Sequence, residues 1–469
     1  MAKHLVIQLA RFGDLVQTKR LILSLLDDDG QGERAGERAG EGQAAALSGG
    51  AGPAPEAGIR PVPPAPGIHP SPEVHLAVDA SLAELARLVH PGVTVHAVRA
   101  HGGTTHGGGQ ADVLAHNARA FAALATERFD TVYNLNNSGL NTALAALFPP
   151  DTVRGYRTLN GQPLRDRWMR MAFRWVAHRR LSPVNLVDFW AALAPRPIAP
   201  ARVNPIAQRG GRGIGVVLAG RMSRRSLPPD VLAACLRAVF EGMGGPRVTF
   251  FGTRAERPLL RKVLDHLPAS VAGNYADLVG RTGWADLADA LTGLDTLLTP
   301  DTGTMHLAAH LGVPVQGFFL SSAWCHETGP YGPGHRVWQA TLDCLPCLEA
   351  RPCPIGVQCL DAFRSREFLS FLAGRPGDRH PPDMLGMVSS LDDVGSTWLT
   401  VFGADPSAPR RVELRALVGE YLGLFTGEEL ADHELARLLY HEADWMLPGP
   451  EGAAFAAFDP FADEPPRGA

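Results

Sequence analysis

Short apolar runs alternate with amphipathic stretches along most of this chain. The opening "HLVIQLA" (4–10) is apolar and short enough for a buried strand, and "RFGDLVQTKRLILSLL" (11–26) turns at a glycine into a helical pattern. The same pairing returns at "EVHLAVDASLAELARLV" (73–89), "VTVHAVRA" (93–100) and "DVLAHNARAFAALATERFDTVYNLNNSGLNTALAALF" (112–148). The segment "RPIAPARVNPIAQRGGR" (196–212) breaks it with Pro, Gly and Arg, as a linker between domains does. A second series follows: "GIGVVLA", "PPDVLAACLRAVFEGM", "RVTFFG", "AERPLLRKVLDHL", "WADLADALTGL", "DTLLTP", "MHLAAHLG" and "VPVQGFF". Strand and helix alternating twice over predict an α/β protein of two doubly wound, Rossmann-like domains.

Two segments do not fit that grammar. Residues from about 28 to 71 are rich in Gly, Ala, Glu and Pro, with "GERA" repeated, and are expected to be a disordered insertion. "HGGTTHGGG" (101–109) reads as a loop, and its two histidines as linker residues more readily than as metal ligands. The expected organisation is a first domain over 1–205, a second over 206–360, and a helical extension over 361–469 whose task the sequence leaves open.

Composition narrows the class. The chain has 469 residues, 45% hydrophobic and 20% charged, with a formal net charge of -4. It lacks the basic excess of a nucleic-acid binder. No apolar run approaches the roughly 18–20 residues that span a bilayer. The first run ends in Arg11 and Asp14 without a small-residue cleavage site, so a cytoplasmic location with reduced cysteines is expected.

Ligands of doubly wound sheets lie beyond the carboxyl ends of the strands. Two turns in this chain stand there, "RFGD" (11–14) and "TPDTGTMH" (299–306), and should face each other across an interdomain cleft. The second enters its helix through small hydroxyl and glycine residues. Free amides at such a terminus suit a phosphate or carboxylate. An ordinary helix cap is the competing reading.

With these turns the chain resembles glycosyltransferase family 9, the lipopolysaccharide heptosyltransferases. The resemblance rests on "VIQLARFGDLVQT" and "TPDTGTMHLAAHLGVPVQGFF", with "FDTVYNL", "RSLPPDVLA", "FFGTRAE" and "TGPYGPGH" in the family's order between and after them. It spans roughly residues 3–360. It implies the GT-B fold and inverting transfer of a sugar from a nucleotide-diphosphate donor to a lipid-linked glycan. ADP-heptose and the lipopolysaccharide core are the leading pair, with other nucleotide sugars or acceptors as the alternative.

The family's roles fall on named positions. Asp14 would be the general base, with Arg11 and Gly13 on the acceptor side; capping its own helix is the competing role for Asp14. Thr302, Gly303 and Thr304 would offer amides to the diphosphate, Asp301 would accept from sugar hydroxyls, and His306 would donate or simply pack. Arg225 stands where the family has Lys, and Leu227 where it has an aromatic. Glu256 would take the ribose hydroxyls or merely begin a helix. No metal or other cofactor is implied for the chemistry. A non-catalytic sugar- or nucleotide-binding module on the same fold is the rival from another class, motivated by the departures at 225 and 227.

Two features stand apart. Cys344, Cys347, Cys353 and Cys359 crowd one Pro-rich segment, and either a structural zinc site or free thiols fit them. "LRDRWMRMAFRWVAHRRL" (164–181) reads as a helix with Trp168, Met171, Ala172 and Trp175 on one stripe and Arg167, Arg170 and Arg174 on another. It suits a peripheral contact with the inner membrane or a docked surface helix.

Overall fold

The structure, a computed structural model, describes residues 2–27, 72–100, 109–220, 223–348 and 351–424, with 435 and 439. The expected insertion, the two-histidine loop apart from its last glycine, and most of the final helical pattern lie outside these residues.

The first domain begins with β1 (Lys3–Gln8), α1 (Phe12–Gln17) and α2 (Lys19–Leu26). It continues with β2 (Glu73–Asp79), α3 (Ala83–Val89), β3 (Thr94–Val98), α4 (Gln110–Thr126), β4 (Thr131–Asn134) and α5 (Gly139–Ala145). A hairpin of β5 (Val153–Leu159) and β6 (Gln162–Arg165) leads to α6 (Arg167–Val176) and α7 (Leu186–Ala191). The sheet order is β3-β2-β1-β4-β5-β6; β1 to β5 run parallel and β6 returns antiparallel. Leu5, Val6 and Ile7 of β1 are fully buried, as a central strand covered on both faces requires.

The second domain contains β7 (Ile214–Val217), α8 (Pro229–Gly242), β8 (Val248–Phe251), α9 (Arg257–Asp265), β9 (Tyr275–Asp277) and α10 (Trp284–Leu291). Then come β10 (Thr296–Pro300), α11 (Gly303–His310), β11 (Val315–Phe319), β12 (Arg336–Ala340) and α12 (Arg366–Leu372). The sheet reads β9-β8-β7-β10-β11-β12 in parallel, so its order reverses between β7 and β10. The first sheet reverses between β1 and β4 in the same way. The crevice each reversal opens is where such sheets hold ligands.

The extension differs from expectation. It is not helical throughout: β13 (Met384–Leu391) and β14 (Ser396–Phe402) add an antiparallel hairpin to the second sheet, and only then does α13 (Ala408–Tyr421) follow. "MLGMVSS" and "STWLTVF" carry the apolar and β-branched residues that fit a pleated surface. α13 crosses back to the first domain. Arg411 donates to the Arg180 carbonyl, and Tyr421 stacks on Trp168 with ring centroids 5.9 Å apart.

A buried carboxylate joins these parts. Asp188 of α7 accepts from Arg20 of α2 at 2.6 Å, from the Tyr331 hydroxyl at 2.6 Å and from the Ser396 amide at 2.8 Å. Arg20 also donates to the carbonyls of Ile198 and Val394. Gly395 passes so close that an added Cβ would lie 2.0 Å from the carboxylate, at a φ of 152° that only glycine adopts readily. Removing one partner of such a pair leaves the other charged and dry. Asp188→Ala should therefore cost about 3–5 kcal/mol, read as a large fall in thermal midpoint, whereas an exposed pair such as Arg364–Asp230 should show almost none.

A second contact crosses the cleft, where α1 lies against α11. Phe12 fills the space above Gly303: a Cβ there would stand 2.2 Å from the Phe12 ring. Gly303→Ala should lower stability by about 1–3 kcal/mol through overpacking. Phe12→Ala should absorb that loss, so the double variant melts near the Phe12→Ala single variant.

Candidate functional site

The two expected turns do meet. A cleft of about 870 Å³ between the domains is lined by Arg11, Gly13, Asp14, Arg225, Glu256, Asp301, Thr302, Gly303, Thr304 and His306. All the residues expected on the donor and acceptor sides thus face one space. The Cys-rich segment does not.

Asp301 is the most heavily engaged of them. Its Oδ2 accepts from Arg225 and, at 2.8 Å, from the Thr328 hydroxyl; His306 Nε2 lies 3.7 Å from Oδ1. Burial alone would raise this carboxyl, but the His306 contact, the Arg225 guanidinium and Thr328 outweigh it and hold Asp301 below the usual carboxylate range. Thr302 caps α11: its hydroxyl accepts from the Met305 amide at 3.3 Å and meets Thr299 Oγ1 at 3.0 Å. The amides of Gly303 and Thr304, in the first turn, have no acceptor within their own helix. The cap and the anion seat are therefore compatible roles, since the cap occupies a later amide.

Asp14 sits opposite, on α1. Burial pushes its carboxyl above the ordinary value; Asp301 adds to the rise and His306 resists it. Asp14 Oδ2 also accepts from the Arg11 amide at 3.1 Å. The residue caps its helix and faces the cleft at once. His306 reaches over from α11 so closely that a Cβ at Gly13 would be 3.1 Å from its ring, so one imidazole lies between the carboxylates of the two domains.

The remaining expected residues are less committed to the cleft. Arg11 is exposed. Glu256 is held by its own turn, accepting from the Thr253 amide at 2.6 Å, and burial raises its carboxyl against that bond. Leu227 is buried in the second-domain core and does not line the cleft.

Sequence reasoning missed several lining residues. Gln17, one turn after Asp14, is buried with its amide Nε2 unpartnered among the described residues. An orphaned buried donor is costly, about 1–3 kcal/mol, and points to a hydrogen-bonding occupant. The Asp14-to-Gln17 spacing puts both on one helical face, which was the available signal. Trp284 follows a second strand–glycine–helix turn, "TGW". It meets Phe12 edge to face at 4.8 Å and donates to the Ser81 carbonyl at 3.0 Å. Thr328 carried no sequence signal.

The four cysteines line a separate pocket of about 380 Å³ with Arg224 and Ser321. The amides of Ile355 and Val357, followed by Arg224, hold the Cys353 thiol below its ordinary value. Among the described residues no group of three or more His, Cys, Asp or Glu forms a metal-holding cluster. The basic helix also departs from expectation. Residues 164 and 165 belong to β6, and the buried stripe is Trp168, Met169, Ala172 and Trp175, with Met171 partly buried against the same core. The tryptophans are thus spent inside the protein. Among the described residues no helix is long and apolar enough to cross a membrane.

Residues 237–355 match the family model described as glycosyltransferase family 9 (heptosyltransferase). No curated protein matches the sequence. Among solved structures, the E. coli ADP-heptose lipopolysaccharide heptosyltransferase II aligns at 15% identity over 80% of this chain and 99% of that chain, with a TM-score of 0.48. A family 9 glycosyl transferase from Veillonella parvula aligns at 14% over 74% and 89%, with a TM-score of 0.49. The E. coli heptosyltransferase WaaC with ADP aligns at 14% over 72% and 93%, with a TM-score of 0.48. The matched segment contains the whole β10–α11 turn.

Proposed function

We propose that the protein transfers a sugar from a nucleotide-diphosphate donor to a lipid-linked glycan, with inversion and with Asp14 as general base. The carrying observation is the convergence of Asp14 from one domain and the Asp301–His306 turn from the other on a single cleft. In this reading the acceptor hydroxyl attacks the anomeric carbon opposite the diphosphate and gives its proton to Asp14 as the new C–O bond forms. The bond to the diphosphate breaks, and the leaving charge is met by the amides of Gly303 and Thr304 and by Arg225. Asp301 orders Arg225 and keeps Oδ1 toward a sugar hydroxyl. Gln17 offers its amide to the acceptor, and Glu256 lies by the nucleotide. The heptosyltransferase description of the matched family makes ADP-heptose the first donor to test and a lipopolysaccharide core the first acceptor. An acceptor of that kind would keep the protein at the inner face of the inner membrane. The chemistry as drawn uses no metal.

Asp14→Asn keeps the cap, since Asn caps about as well as Asp, but cannot accept a proton. Turnover should fall by ~10²–10⁴-fold with donor affinity nearly unchanged. The pH profile carries a sign. Because the Asp14 carboxyl is raised, the base is lost as pH falls through a value above the ordinary carboxylate range, so kcat/KM declines on that acid limb and the limb vanishes in the Asn variant. Tight nucleotide-sugar binding with no turnover in the parent protein would instead favour the binding-module reading.

For the cysteine pocket we propose a structural zinc ion that draws the four thiols together. The amide-supported Cys353 thiol and the common pocket support this, because thiolate ligands need such donors. Purified protein should carry about one zinc per chain by elemental analysis and lose thermal stability on chelation; metal-free protein of parental stability would remove the site.

A further inference from the structure

The β5–β6 hairpin leaves the first sheet and ends in solvent. Its two-residue turn is Asn160-Gly161, both at positive φ (51° and 77°), the conformation that tight hairpins favour. Beside the turn, Leu159 and Leu164 are 46% and 36% exposed, and Pro163 is exposed between them. Among the described residues, nothing covers this small apolar tip. Its surroundings are basic: Arg154, Arg157 and Arg165 lie on the hairpin, against the flanking Asp151 and Asp166, in a chain whose net charge is -4. The outward face of α6, immediately after the hairpin, continues the field with exposed Arg167, Arg170 and Arg174.

The topology fixes where this tip points. β1 and β5 both run parallel to β4, so the turn after β5 emerges from the same sheet edge as the Arg11–Asp14 turn after β1. The apolar tip and the acceptor side of the cleft therefore share one end of the first sheet, and α6 packs beside the hairpin, with the Arg165 guanidinium over the Phe173 ring.

We propose that this hairpin and the outer face of α6 form a docking surface for an anionic lipid bilayer, with Leu159 and Leu164 entering the interface and the arginines meeting headgroups. Charge complementarity selects the bilayer over a neutral partner. Two isolated leucines give too little apolar area for a stable protein interface, yet a shallow insertion supported by cations is enough for reversible surface binding. The tryptophans of α6 take no part, because they are buried. The surface agrees with the lipid-linked acceptor proposed above but is tested without acceptor or donor, so either reading can fail alone.

The test is flotation of the full-length protein with vesicles of phosphatidylglycerol and phosphatidylethanolamine, against vesicles of phosphatidylcholine. The protein should bind the anionic vesicles, bind the neutral ones at least tenfold less, and release as salt rises. Leu159→Ser with Leu164→Ser, and separately Arg170→Glu, should each lower the partition coefficient by at least about fivefold. Thermal stabilisation by ADP, read in parallel, should stay parental and so exclude misfolding. Failure to bind anionic vesicles, equal binding to neutral ones, or parental binding by both variants would overturn the proposal. Concentration-dependent self-association lost in the leucine variant would also overturn it and give the tip to a second copy of the chain.

Discussion

One buried carboxylate fixes the geometry on which the cleft depends. Asp188 takes hydrogen bonds from Arg20, Tyr331 and Ser396, which belong to the first domain, the second domain and the extension. A charge removed from water is tolerated only when such donors are aimed at it. The contact is therefore satisfied in one relative placement of the domains and penalised in others. The approach of α1 to α11, close enough that Gly303 has no room for a Cβ and Gly13 would meet His306 tightly, follows from that placement. Arg179 strengthens the arrangement by reaching Glu327 and the Ser322 carbonyl across the same boundary.

The cleft shows what this closeness does to charge. Asp14 and Asp301 come from different domains, and Asp301 raises the cost of ionising Asp14. His306, between them, moderates the repulsion from either side. The outcome is asymmetric. Asp301 has Arg225 and Thr328 and is held as an anion; Asp14 has one amide and is left raised. Two carboxylates with divergent proton affinity in one cleft are the usual division between a group that organises and a group that exchanges a proton.

Much of this was legible in the chain. The alternation of apolar runs with amphipathic stretches indicated two doubly wound sheets, and the "RFGD" and "TPDTGTMH" turns lie at strand ends, where their glycines and small hydroxyls suit entry into a helix. What was not legible needed distance information. Gln17 and Thr328 become cleft residues only once the domains meet, and Thr328 has no local pattern at all. The β13–β14 hairpin was hidden because its strands pair antiparallel beyond the alternating series, where nothing in the preceding grammar foretells a return. The α6 stripe was wider than expected: Trp168, Ala172 and Trp175 are buried as read, Met171 is partly buried, and Met169 is the fully buried methionine, because periodicity alone does not say which way a helix rolls onto its sheet.

The reach of Asp188 bears on how the protein is made. Its Ser396 donor lies 208 residues downstream. At ribosomal rates of about 5–20 residues per second, that partner emerges on the order of 10–40 s after the carboxylate. During that interval the first domain can form its sheet and Asp188 can meet Arg20, but the carboxylate still lacks its Tyr331 and Ser396 donors. The contact that joins the domains at Asp188 is thereby completed only after residue 396 has been made. A hairpin that looks like an appendage to the second sheet thus supplies the late donor to a carboxylate shared by the domains.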